Sequence, residues 1–391
     1  VVWMSTGGGN FAGSLDVVNT RTNEDRTVSP YLRDQNVVDP RSLKYRFNWE
    51  TPIAFDPFDP QTVYTAGNVL FRTRDAGAHW TAVSGDLTRN TRSHETVTGG
   101  ITLDGTGAET SETILYIEPS RARRGEIWIG TDDGYVQLTR DGGKTWRNVT
   151  PPGIQPFGRF AGLSASVHDP GRLYAVYDLH MTGDRTPHIF ATSDYGAHWR
   201  DIAANLPAGQ QVRSVRADPR NPSLIYAGLE NSLWATFDGG AHWRNVNFNL
   251  PPTSVRDIGV QPDRNDLLIA THGRGVWILD DLSPLQMLDA ARVSAAGVYV
   301  FPVRSAIQWN RHDYFGTRID GAAPPYGAII TYYLRHPEKL APTAEIVDAS
   351  GRAVRHFKAK ELTNQAGLNR FAWDTTEDPP PVWKFTPTWN Q

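Results

Sequence analysis

Cysteine is absent from the chain. That excludes a disulfide framework, a thiolate metal site and a cysteine nucleophile. No apolar run approaches the roughly 18 residues that a membrane-spanning helix needs. No long run of one charge occurs either, with 39 Lys and Arg standing against 42 Asp and Glu in 391 residues. A nucleic-acid partner favours a basic stripe, so this balance argues against one. Helical periodicity is scarce. The opening "VVWMSTGGG" reads as a strand already under way, with no secretory leader, which suits a mature chain or a fragment of a longer one. What is plentiful is glycine (35), proline (27) and tryptophan (13), a composition for many short strands joined by tight turns.

One motif is written four times: "DAGAHW" (Asp75–Trp80), "DGGKTW" (Asp141–Trp146), "DYGAHW" (Asp194–Trp199) and "DGGAHW" (Asp238–Trp243). Successive copies start 66, 53 and 44 residues apart, so the unit is about 44 residues with insertions. More than the box repeats. "FDPFDPQTVY" (Phe55–Tyr64) lines up with "ADPRNPSLIY" (Ala217–Tyr226). Each unit reads as a first strand ending in an Asp-Pro turn, then a second apolar strand, a short turn and a third strand. The box makes the next turn, and the fourth strand starts at its Trp. Four antiparallel strands per unit is the signature of a propeller blade.

The box residues have structural work to do. Asp75, Asp141, Asp194 and Asp238 can accept amide hydrogen bonds within their own turns. The glycine permits positive φ. Trp80, Trp146, Trp199 and Trp243 can pack between blades. His79, His198 and His242 share that turn and read as structural too. About six units are visible, and the first lacks both a box and a first strand. The expected fold is therefore all-β: a β-propeller of Asp-box blades over residues 1–294, part of a larger ring or one completed by a second chain or segment. A small, incomplete β-sandwich is expected over 295–391, where the repeat stops and a "DASGR" hairpin turn appears.

These boxes on four-stranded blades resemble the bacterial-neuraminidase-repeat and sortilin-type propellers. The segments "YRFNWETPIAFDPFDPQTVYTAGN", "IWIGTDDGYVQLTRDGGKTWRNVT" and "ATHGRGVWILDDLSPL" are similar to a family of large, secreted bacterial proteins called glycosyl hydrolases. The similarity runs from about Tyr45 to Asp374. It implies a secreted or periplasmic protein with a glycan, peptide or protein ligand. Related xyloglucan hydrolases use two Asp residues across a cleft between two propellers. Sialidases use an arginine triad. Arg72, Arg140, Arg213 and Arg274 do not occupy matching repeat positions, so no sialidase residue carries over.

Blade geometry narrows the search for a site. Second-to-third turns and fourth-to-first loops share one face, and the boxes lie on the other. The second-to-third turns supply Asp132, Asp133, Asp178, His180, Asp184, Glu230, His272 and Arg274, all expected to rim one mouth. Such a set fits paired-carboxylate chemistry, one carboxyl protonated and another acting as base or nucleophile. It also fits non-catalytic ligand binding, and a Ca2+ held through Asp132 and Asp133; no other cofactor is implied. "TDDG" (Thr131–Gly134) reads equally as ordinary turn chemistry. His272 and Arg274 read equally as bridges between blades. The long "YDLHMTGDRTPH" loop (Tyr177–His188) is the most suggestive insertion. "TGGGNFAG" (Thr6–Gly13) opens no helix and reads as a turn, not a phosphate cradle. Trp309, Trp383 and Trp389 suit either sugar stacking or a sandwich surface. The expected function is a binding module using this mouth, with glycoside hydrolysis by mouth carboxylates as the alternative.

Overall fold

The computed structural model describes residues 1–5, 13–33, 38–96, 111–288, 295, 297–307 and 325–379. Most of the turn at Thr6–Gly13, and Trp309, Trp383 and Trp389, lie outside them. Six successive sheets form the repeat among the described residues. The first comprises Val2–Ser5, Leu15–Asn19 and Glu24–Thr27. The second comprises Ile53–Phe55, Val63–Ala66, Leu70–Thr73 and Thr81–Ala82. The third is Ile114–Pro119, Ile127–Thr131, Val136–Thr139 and Arg147–Asn148. The fourth is Arg159–Ala165, Leu173–Asp178, Ile189–Thr192 and Arg200–Asp201. The fifth is Val212–Ala217, Ile225–Leu229, Leu233–Thr236 and Trp243–Asn245. The sixth has three strands, Ser254–Gln261, Asp266–His272 and Val276–Leu279. The chain is all-β and its repeat is a β-propeller.

The boxes build four copies of one turn. A Thr two residues before each Asp donates to its Oδ1 at 2.7–2.9 Å. The same oxygen accepts the amide four residues on, at 2.9 Å in all four copies. Each indole then donates to the preceding blade, to the carbonyl of the residue just after that blade's fourth strand: Trp146 to Val83, Trp199 to Val149, Trp243 to Ile202. The box glycine is bound to that same neighbour. Gly77, Gly143, Gly196 and Gly240 have φ between 78° and 99°, and an added Cβ would come within 2.5–2.7 Å of Val28, Val83, Val149 and Ile202. D-x-G-x-x-W is thus a clamp between blades.

The clamp also assigns the strands of the first blade. Trp80 donates to Val28, directly after Glu24–Thr27. That strand is therefore the blade's fourth, and Val2–Ser5 occupies the second position. Among the described residues the first blade has no innermost strand, as the sequence suggests, and Val2 and Met4 on the open edge are 46% and 40% exposed. The Asp-Pro turns repeat as closely as the boxes. Tyr64 donates to Asp56 at 3.1 Å, and Tyr226 to Asp218 at 3.0 Å. Apolar cores lie between blades; one joins Tyr174, Val176 and Ile189 to Val212, Val215, Ile225 and Trp243.

The chain divides into two compact units, Val1–Val260 with Leu268–Ile278, and Gln261–Leu267 with Leu279–Gln391. The boundary expected at 294/295 therefore falls inside the second unit. That unit holds a sheet of Val298–Val300, Ala328–Leu334 and Gly367–Trp373, and a hairpin of Ala344–Val347 and Ala353–Phe357. Phe357 of the hairpin packs on Phe371 of the sheet at 4.7 Å, which makes a small β-sandwich.

The box carboxylates set an acid limit on the propeller. Hydrogen bonds hold Asp75, Asp141 and Asp194 down at about 2: the amides and rings of His79 and His198 for Asp75 and Asp194, the hydroxyl and amide of Thr145 for Asp141. Asp238 is pushed up by burial, yet the amide of His242 and its other partners bring it to about 2 as well. A carboxyl lowered on folding stabilises the fold above its unfolded value, here 3.8, and that contribution fades as pH falls toward 2. Asp141→Asn should therefore melt below the parent protein at pH 7, and the gap should close by pH 2. A gap of unchanged size at pH 2 would show that the charge of Asp141 is irrelevant to the turn.

Candidate functional site

Antiparallel pairing places each second-to-third turn and fourth-to-first loop at one end of a blade and each box at the other. First strands are innermost. Pro52–Phe55 of the second blade, Leu115–Pro119 of the third, Arg216 of the fifth and Asp257 of the sixth line one cavity of about 720 Å³ at the propeller axis. Within it, Arg216 donates to Tyr116 Oη at 3.2 Å and to the Ile258 carbonyl at 2.8 Å. Glu118 and Asp257 flank its guanidinium at 3.8 and 3.7 Å. Burial raises the Glu118 carboxyl above the usual carboxylate range.

At the mouth, Glu50 and the arginines that begin three first strands, Arg159, Arg213 and Arg256, meet acids of the second-to-third turns, so that charges of opposite sign alternate along one array. Glu50, just before the second blade, contacts Arg159 of the fourth at 2.7 Å and Arg256 of the sixth at 3.4 Å. Arg256 lies close enough to Glu230 of the fifth blade to act on its charge. Arg213 then joins two of the predicted turns. Its Nε donates to Glu230 at 2.7 Å, and its Nη1 to Asp178 of the fourth blade at 3.1 Å. Asp178, whose side chain is 1% exposed, also holds the His180 ring at 2.7 Å. Ser254 contacts Glu230 from the sixth blade at 3.3 Å. Burial pushes Glu230 up, but its bond to Arg213 outweighs this and leaves it below the usual range. An alternation of fixed donors and acceptors with little net charge can bind hydroxyl groups, each of which donates and accepts.

The structure thus gathers Asp178, His180 and Glu230. The other predicted residues behave differently. Asp132 and Asp133 are buried tethers. Both Asp132 oxygens accept from Thr113, and burial still pushes its carboxyl up to about 7. Asp133 accepts from Thr131 and from the Arg89 amide. All four oxygens therefore accept from protein donors, because a turn beside a packed loop draws its carboxylates inward. Among the described residues no three His, Asp or Glu side chains gather to hold a metal ion. Asp184 is exposed and spent on its own turn, accepting the Thr186 amide at 2.8 Å. His272 and Arg274 are exposed on the sixth blade's second-to-third turn, and neither side chain joins the array.

Sequence reasoning missed Glu50, Arg159, Arg213 and Arg256. All lie where a fourth-to-first loop becomes a first strand, on the face already identified. Reading those loops as well as the second-to-third turns was the signal that would have found them.

No family model matches the chain. Among curated proteins it is similar to an oligoxyloglucan-reducing end-specific xyloglucanase of Emericella nidulans, 26% identical over 180 residues. That match covers 40% of this chain and 22% of the relative's length. Among solved structures it is similar to the GH74 xyloglucanase from Xanthomonas campestris, with TM-score 0.47, 18% identity, and 69% of this chain and 41% of that one covered. It is also similar to the extracellular domain of the one-component system BT4673 from B. thetaiotaomicron, with TM-score 0.43, 12% identity, and coverage of 68% and 30%.

Proposed function

We propose that the propeller binds a neutral glycan at its mouth and does not cleave it. The observation that carries this is the array Arg159–Glu50–Arg256–Glu230–Arg213–Asp178–His180. A strongly anionic or cationic ligand would leave half of this array opposed. A polyhydroxyl chain satisfies both halves. The similarity to a xyloglucanase suggests which glycan to try, a xyloglucan oligosaccharide. Cleavage would need a protonated carboxyl facing the ligand beside an ionised one. Glu230 is held ionised, and Asp132 is turned inward on Thr113.

Hydrolysis is a second reading, favoured by one observation: Glu118, raised by burial, lies across Arg216 from Asp257 in the axial cavity. Titration with xyloglucan oligosaccharides decides between them. Saturable binding without new reducing ends is expected. Reducing ends whose release is abolished by Glu118→Gln would establish the hydrolase instead.

A further inference from the structure

Next to the array, the mouth carries a built aromatic site that neither the boxes nor the ion pairs require. Phe157, in the loop between third and fourth blades, has φ +63°. A bulky side chain adopts the left-handed region only when its surroundings impose it. Here Asp133, fully buried, imposes it. Its carbonyl accepts the Phe157 amide at 3.2 Å and Arg89 Nε at 2.7 Å, and its carboxylate accepts the Arg89 amide at 2.6 Å. The Arg89 guanidinium consequently sits between two rings, 4.3 Å from Tyr135 and 5.3 Å from Phe157. The imidazole of His94, exposed to solvent, leans on Phe157 at 4.7 Å and 51°. These residues come from two fourth-to-first loops and one second-to-third turn, so all are on the mouth face.

Phe157 is only half-buried. A strained aromatic that is left half in solvent gains little from packing, and such strain tends to collect where ligands bind. The ring is rigidly aimed, has a cation behind it, and is covered by a side chain that, among the described residues, is held through its own backbone.

We propose that Phe157 is the stacking platform for a pyranose ring of the bound glycan, and that His94 is the cover which that ring displaces. This rests on the glycan reading above. At 4.7 Å the two rings leave no space for a third between them, so the sugar must take the place of the imidazole. Its apolar C–H face would then lie on Phe157. Its hydroxyls would reach the Arg89 amino groups and the adjoining array. An anionic ring would be drawn to Arg89 but opposed by the acidic side chains of Asp133 and Glu112, the first of which burial, and then the charge of the second, already raises above the usual carboxylate range; a neutral pyranose meets neither charge unfavourably.

The test uses the whole chain and a xyloglucan heptasaccharide. His94 ring protons, shifted in the free protein by the Phe157 ring, should move toward positions of an unstacked histidine as sugar is added. Phe157→Gly suits the left-handed backbone. It should leave the melting temperature unchanged or raised while weakening binding about tenfold. His94→Ala should strengthen binding by a few-fold, roughly what one competing ring contact is worth. If the parent protein binds but Phe157→Gly binds equally well, or the His94 signals do not move at saturation, the platform is refuted and the glycan reading stands. If Phe157→Gly melts lower with affinity unchanged in the folded fraction, Phe157 is a packing residue. If the parent protein binds no sugar while its His94 signals stay put, both readings fall together.

Discussion

Replacing Arg213 with alanine should both loosen the fold and remove most glycan affinity. Arg213 bonds two carboxylates from different blades through Nε and Nη1. Asp178 is almost wholly buried, so truncation leaves a buried charge supported, among the described residues, by the ring and the amide of His180. Breaking such a pair costs about 3 kcal/mol. Glu230 adds little to that figure, because its side chain is 37% exposed and solvent can replace the guanidinium. Affinity for a xyloglucan oligosaccharide should fall about thirtyfold, the low end of what losing one partner of a buried charge pair does to binding. Arg213→Lys keeps the charge but cannot fork between the two acids, so it should fall between. Urea unfolding and sugar titration of the same samples check both halves. An alanine variant with unchanged affinity would remove Arg213 from the site.

The largest effect on stability should come from a box tryptophan, and the four should not be equal. Trp243 is 3% exposed, lies inside the core between fourth and fifth blades, and donates to Ile202 at 2.7 Å. Trp80, Trp146 and Trp199 make the same bond while only half-buried. Trp243→Ala removes the transfer energy of a large side chain and leaves a cavity, about 3–5 kcal/mol. Trp243→Phe keeps most of the packing and strands one carbonyl, about 1 kcal/mol. Trp80→Ala should cost clearly less than Trp243→Ala by urea unfolding. Equal losses at the two positions would mean that burial does not set the strength of the clamp.

The propeller was legible because its repeat is written in residues that have few substitutes. The box glycine must hold φ near +80° and admit the neighbouring blade, and the tryptophan must reach one particular carbonyl. Even the order of the three described strands of the first blade follows from this, once Val28 is seen in the place of Val83 and Val149. The mouth was legible as a face but only partly as a site. Asp178, His180 and Glu230 sit in turns of known position, and the structure brings them together. Asp132 and Asp133 occupy an equivalent turn, yet a carboxylate that ties down a loop has the same letters as one that meets a ligand. Asp184 was drawn in by the length of its loop, which folds back on its own amides. Arg213 and Glu50 carry no motif, because a charge at the start of a strand joins such an array only when four blades bring their mouth ends together. Nothing in "PFG" (Pro156–Gly158) announces that Phe157 will hold a left-handed backbone.

The central claim is that the mouth, and not the box face, receives a glycan. Hydrogen–deuterium exchange of the chain with and without saturating xyloglucan oligosaccharide tests it most directly. The account predicts slower exchange around Glu50, Phe157, His180, Arg213, Glu230 and Ser254, with the four box turns unchanged. Protection concentrated at Asp75, Asp141, Asp194 and Asp238, or none anywhere at saturating sugar, would contradict it.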